Sequence, residues 1–222
     1  MSDEFDEEGS GALAKIGQII GWAYERAIKG IPGVSSAKRF ADEYLRSHFD
    51  PEGAIDSLIQ WQVIQAGTAG FLSGVGGVFT LPVAIPTNLA AVLYLQLRMV
   101  AAIAHIRGYD VHSDRVKGLV IVCLAGSSAT DTLKEVGINI GSKLTLRAIQ
   151  KIPGTMIIKP NRAVGFRLLT KAGAKGIVNL SRIVPIVGGL ISGGIDAATT
   201  RAIAAAAKQI FSPMPPADRG PI

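Results

Sequence analysis

From Ser57 to Leu97, 41 consecutive residues carry no Asp, Glu, Lys or Arg, and no other feature restricts the fold of this chain so severely. A stretch of that length and composition has to be covered, either by protein or by lipid. Leu81-Pro-Val-Ala-Ile-Pro86 divides it into two arms, because proline removes a helical hydrogen bond and clashes with the preceding turn. The pattern predicts a helical hairpin. Each arm approaches the ~20 residues that a hydrocarbon core requires, so a transmembrane hairpin is one reading. The first arm, however, holds Gln60, Gln62, Gln65, Thr68 and Ser73, which makes its transfer into lipid only marginally favourable.

The same arm carries Gly67, Gly70, Gly74 and Gly77, stepping by three, four and three residues along one helical face. Each glycine costs about 1 kcal/mol of helix stability against alanine, so a stripe of four implies an offsetting close approach by a neighbour. Gly189 and Gly193, followed by Ala197, repeat the spacing of four near the C-terminus. The expectation is that the two stripes pack together, with a tight crossing inside a protein core and a membrane role both open.

Elsewhere apolar residues recur at helical spacing and strand-like alternation is scarce. Turn signals fall at Gly30-Ile-Pro-Gly33, Asp50-Pro51, Gly108, Ile152-Pro-Gly154 and Lys159-Pro160. The expected fold is all-α, a multi-helix bundle around the central glycine-rich apolar hairpin. Helices are expected over 11–29, 35–48, 51–79, 86–107 and 113–136, with three or four more between 138 and 211. Asp50 is positioned to cap a helix opening at Pro51, and Ser113 to cap one whose first turn contains Asp114. A chain of 222 residues buries enough surface for one domain, expected over 11–211, with an acidic disordered tail over 1–10 and a proline-rich one over 212–222. The single cysteine, Cys123, lies in the apolar run Leu119-Val-Ile-Val-Cys-Leu124 and reads as a small buried side chain in a reducing compartment.

Charge is unevenly placed. Asp3, Glu4, Asp6, Glu7 and Glu8 leave the rest of the chain with 23 basic against 12 acidic residues. Between Val136 and Ile195 there is no acidic residue, while Lys143, Arg147, Lys151, Lys159, Arg162, Arg167, Lys171, Lys175 and Arg182 supply nine positive charges. Lys143, Arg147 and Lys151 recur every four residues, as do Arg167, Lys171 and Lys175, so each triplet forms a basic stripe if helical. Solvated faces ordinarily mix both signs, and this block implies an anionic partner. Sequence-specific nucleic-acid binding is disfavoured, since Phe166 is the only aromatic in the block and no zinc or basic-zipper pattern occurs. Anionic lipid needs only positive charge beside apolar surface.

Catalytic and cofactor signatures are missing: there is no phosphate loop ending in Lys-Ser/Thr, no Gly-x-Ser-x-Gly elbow and no His-Glu-x-x-His. No cofactor is expected. His105, Asp110 and His112 are the only clustered metal-ligand types, and helix-end and turn chemistry accounts for them equally well. Ser127-Ser-Ala-Thr-Asp131 has nucleophile-like residues without a base at an identifying spacing, and Ala125-Gly-Ser-Ser-Ala129 reads as a close helix contact.

Taken in order, the glycine-rich segment leading into Leu81-Pro82, Asn88-Leu89 with Gln96, Ile103-Ala-His-Ile-Arg-Gly-Tyr-Asp110, Ala125-Gly126 and Ile183-Val-Pro-Ile-Val-Gly-Gly-Leu-Ile-Ser-Gly-Gly-Ile-Asp196 before an alanine-rich helix ending at Phe211 resemble the EcsC protein family. The resemblance spans roughly Pro51 to Phe211. It implies a bacterial, membrane-associated helical protein and supplies no catalytic residues to carry over.

The leading functional expectation is a non-enzymatic protein, cytoplasmic and peripheral to the inner membrane, that binds anionic lipid or a membrane protein through its basic surface. One alternative is an integral or pore-forming effector inserting residues 57–97, with homo-oligomerisation open. Another is a lipid-acting enzyme with an unrecognised site.

Overall fold

The computed structural model describes the backbone of residues 2–67, 87–135, 138 and 189–213, with side chains over 16–65, 91–135, 138 and 197–213. The described residues form an all-α fold of seven helices: α1 (Ser2–Lys29), α2 (Ala37–Ser47), α3 (Pro51–Gly67), α4 (Thr87–Ile106), α5 (Asp114–Cys123), α6 (Ala129–Glu135) and α7 (Gly189–Ile210). A short 3-10 turn, Gly126–Ser128, joins α5 to α6.

α4 is the axis of the fold. It packs against α1, α2, α3, α5 and α7, and Met99 through Ala104 are fully buried. A helix apolar around its whole circumference must be enclosed, and here protein encloses it. The second arm of the charge-free stretch is thus a core helix covered by its neighbours, and no described helix is long and apolar enough to cross a membrane. Arg98 enters this core with its guanidinium 4.1 Å over the Phe40 ring and Nη1 donating to the Ser35 carbonyl at 3.2 Å. Its burial lowers its pKa by desolvation.

Local chemistry sets the helix ends. Gly30 (φ +83°) closes α1 by donating to the Arg26 carbonyl at 2.7 Å. Ile31-Pro32-Gly33-Val34 then forms a tight turn, Val34 N donating to Ile31 O at 2.9 Å, with Gly33 at φ +79° where a type II turn demands it. The Ser36 hydroxyl caps α2 by accepting from Arg39 N, and Asp50 caps α3 by accepting from Gly53 N at 2.8 Å. Ser113 occupies the N-cap position of α5 but makes no side-chain cap bond. α4 ends in a Schellman motif: Gly108 (φ +88°) donates to His105 O at 2.9 Å and Tyr109 N to Ala104 O at 3.0 Å.

Two expectations are corrected. The acidic segment placed in a disordered tail is helical from Ser2 onward, as part of α1; Asp3, Glu4 and Asp6 sit at the positive end of the helix dipole, where negative charge stabilises a helix. The single helix expected over 113–136 is broken at Leu124–Ser128. Gly126 adopts φ +58° there, and a Cβ on it would lie 3.3 Å from Ala202 Cβ, so the break lets α7 approach closely. The reading of Ala125–Ala129 as a close helix contact holds at that glycine. The body also extends past Phe211, because Ser212 is buried as well. Gly67 lies in α3 and Gly189 and Gly193 in α7, which packs against α3. Gly70, Gly74 and Gly77, and with them the stripe-on-stripe contact, lie outside the described residues.

Candidate functional site

The Schellman turn of α4 points two side chains at the C-terminus of α7. Arg107, 5% exposed, donates through Nη1 to the carbonyls of Lys208 (2.7 Å) and Phe211, and through Nη2 to Glu52 Oε2 (2.7 Å). The last carbonyls of a helix lack intrahelical donors, and a cation suits the negative end of the dipole. The Tyr109 hydroxyl donates to Ser212 O at 2.9 Å, and its ring meets Phe211 edge-on at 5.2 Å. Lys208 completes the cluster, with Nζ 2.5 Å from Asp56 Oδ1 and 3.6 Å from Glu52 Oε2. Opposite charges meet here across three helices, so the arrangement ties α3, α4 and α7 together.

A second cluster lies where α2 gives way to α3. His48, the C-cap of α2, sets Nδ1 2.9 Å from the Tyr44 carbonyl and Nε2 2.7 Å from Ser57 Oγ. A carbonyl oxygen only accepts, so Nδ1 carries the proton and Nε2 presents its lone pair to the Ser57 hydroxyl. The Ser47 hydroxyl, 3.0 Å from the same carbonyl, lies 3.1 Å from Nδ1. Both members of the pair are half-buried. The exposed large apolar side chains of the described residues are Phe49, next to His48 in sequence, and Trp61 and Ile64 along α3. Residues 57, 60, 61 and 64 share one helical face by register, so α3 exposes Asp56 near its start and apolar groups toward its end.

The sites expected from sequence are distributed differently. His105 Nε2 faces Asp42 Oδ1 of α2 at 3.4 Å, while Asp110 accepts from the amide of His112 at 2.9 Å. Among the described residues no cluster of histidine, cysteine and carboxylate groups could hold a metal. Burial, with Lys38 nearby, lowers the His105 pKa despite Asp42, so the neutral ring donates to that carboxylate. Cys123 is fully buried, its thiol pKa pushed up by desolvation and its Sγ 3.2 Å from Leu119 O. In the 127–131 segment, Asp131 pairs with Lys134 at the surface and the Thr132 hydroxyl donates back to Ser128 O. Lys143, Arg147, Lys151, Arg167, Lys171 and Lys175 lie outside the described residues. Sequence reasoning missed His48 and Ser57, because the pair is closed only by the chain reversal at Asp50-Pro51.

Fold and sites together define a helical domain wound around one enclosed helix and locked at its C-terminal end by an arginine. The sequence model of the EcsC protein family matches residues 49–212, and the chain belongs to that family. The match ends on the residue whose carbonyl receives Tyr109, whereas α1 and α2, which cover one side of α4, precede it. No curated protein and no solved structure matches the chain.

Proposed function

We propose that this protein binds the anionic surface of a membrane through the basic block between Val136 and Ile195. The observation that carries the reading is that nine cations stand there without one acidic residue. Several carboxylates of the described helical body have partners within it, which supports the reading. Glu25 pairs with Lys29 and Lys117, Glu43 with Arg39, Glu52 with Arg107 and Lys208, Asp56 with Lys208 and Asp131 with Lys134. Asp50 caps α3 and Asp110 holds its own turn. Anionic headgroups are a counter-charge that such a block can meet at a membrane, at about 1 kcal/mol per well-placed Lys or Arg.

Flotation of the purified protein with vesicles tests this reading. Recovery with phosphatidylserine-containing vesicles at low salt, falling as salt rises, is the expected result. Equal recovery with neutral vesicles overturns the electrostatic reading. A second reading, insertion of residues 57–97, is favoured by exposed Trp61 and Ile64 on α3 and opposed by the enclosure of residues 91–106 of α4. Retention of the protein in membranes after carbonate washing is its expected signature, and complete release rejects it.

A further inference from the structure

We propose that Ser57 and His48 are a nucleophile and its general base, acting on carboxylic esters with an apolar acyl chain. An ester-cleaving serine needs a base within hydrogen-bond reach of its hydroxyl and a third group that fixes the tautomer of that base. Here Ser57 Oγ lies 2.7 Å from His48 Nε2, and the Tyr44 carbonyl, 2.9 Å from Nδ1, holds the proton on the far nitrogen. Capping α2 occupies Nδ1 alone; it does not require a serine of α3 at Nε2. The pair is half-buried, within reach of a ligand arriving along the face of α3. Trp61 and Ile64 extend that face as exposed apolar surface, and Phe49 adjoins His48, fully exposed. These side chains suit an acyl chain and select against a charged substrate. Gln60 and Trp61, three and four residues after Ser57, share its face of α3 by register and are the N–H-bearing side chains assigned to the oxyanion.

The step balances with water as the only co-reactant. The Ser57 oxygen bonds to the ester carbonyl carbon as its proton passes to His48 Nε2. The carbon–oxygen bond to the alcohol then breaks, and the departing oxygen takes that proton, leaving an acyl-serine. Water adds to the acyl carbon and gives a proton to Nε2. The bond to Ser57 breaks, the proton returns to its oxygen, and a carboxylic acid leaves.

The inference is independent of membrane binding, because its probes are soluble. Full-length protein is treated with an alkyl fluorophosphonate and mapped by peptide mass, and turnover is measured on p-nitrophenyl acetate, butyrate and octanoate. The expected results are an adduct on Ser57 that heat-unfolded protein does not form, and turnover that rises with acyl length. Ser57→Ala, which removes one half-buried hydroxyl, should bring turnover to the buffer background while the melting curve is preserved. His48→Gln should lower turnover at least about 100-fold, the usual contribution of a positioned base. If His48→Gln does not fold, the adduct map and Ser57→Ala decide. Absence of labelling in the folded protein, an adduct on another serine, or undiminished turnover in Ser57→Ala overturns the proposal.

Discussion

Arg107 Nη2 lies 2.7 Å from Glu52 Oε2, tying the C-cap of α4 to the first turn of α3. The same guanidinium holds the carbonyls of Lys208 and Phe211, so one side chain joins three helices. Arg107→Met should remove these bonds and leave buried carbonyls unpaired, costing about 3 kcal/mol. Glu52→Gln, at a carboxylate still 45% exposed, should cost no more than about 1 kcal/mol. Urea unfolding of both variants checks the order, and equal losses would contradict it.

His105 gives stability a dependence on pH in a window of its own. Its folded-state pKa lies below the ordinary 6.5, first through burial and then through Lys38, while Asp42 opposes and His112 adds a small lowering. Below about pH 6.5 the unfolded chain therefore binds more protons at this residue than the folded one. Its contribution is complete above that pH and declines as pH falls through the folded pKa. His105→Gln should flatten the fall in unfolding free energy that begins as pH drops below about 6.5, the ordinary histidine value. At lower pH, Glu25, whose pKa is lowered mainly by its hydrogen bond to Lys117, gives a separate loss that the variant should retain.

Two glycines predict opposite signs for one substitution. At Gly30 a Cβ would lie 3.0 Å from Ser36 N and 3.2 Å from Val34 O, on a backbone at φ +83°. Gly30→Ala should lower stability by at least about 1–2 kcal/mol, the usual penalty of the left-handed conformation. At Gly21, within α1, a Cβ would meet nothing within 4 Å. Gly21→Ala should raise stability by about 0.5–1 kcal/mol through helix propensity. Paired thermal melts read both.

Trp61 and Ile64 separate surface affinity from folding. Both are exposed large apolar residues, so W61Q/I64Q should unfold within about 0.5 kcal/mol of the parent. If they enter the interface of a bilayer, vesicle partitioning should weaken by about tenfold or more, with the loss persisting at high salt. Unchanged partitioning at high salt would remove α3 from the contact surface.

Much of the fold was legible because its signals are local. The caps at Asp50 and Gly108, the turn at Ile31–Val34 and the span of α4 follow from residues within one or two turns of each other. The break at Gly126 was not legible. Leu119–Leu124 and Ala129–Glu135 read as one helix until Ala202, far along the chain, closes on the glycine. The candidate sites divide in the same way. The histidines around the α4 turn attract notice by clustering in sequence, yet His105 turns to Asp42 of another helix. The pairing of His48 with Ser57 has no spacing signature, because it depends on the angle at which α3 leaves α2.

The sequence by itself determined the helical class, most helix ends and the uneven charge, since propensity, capping and composition act over a few residues or over none. Only the tertiary structure decided what covers the part of the charge-free stretch that lies in α4, residues 91–97. Apolar periodicity requires that a surface be buried without naming what buries it. Over residues 91–106 of α4 that cover is protein, because α1, α2, α3, α5 and α7 pack around them.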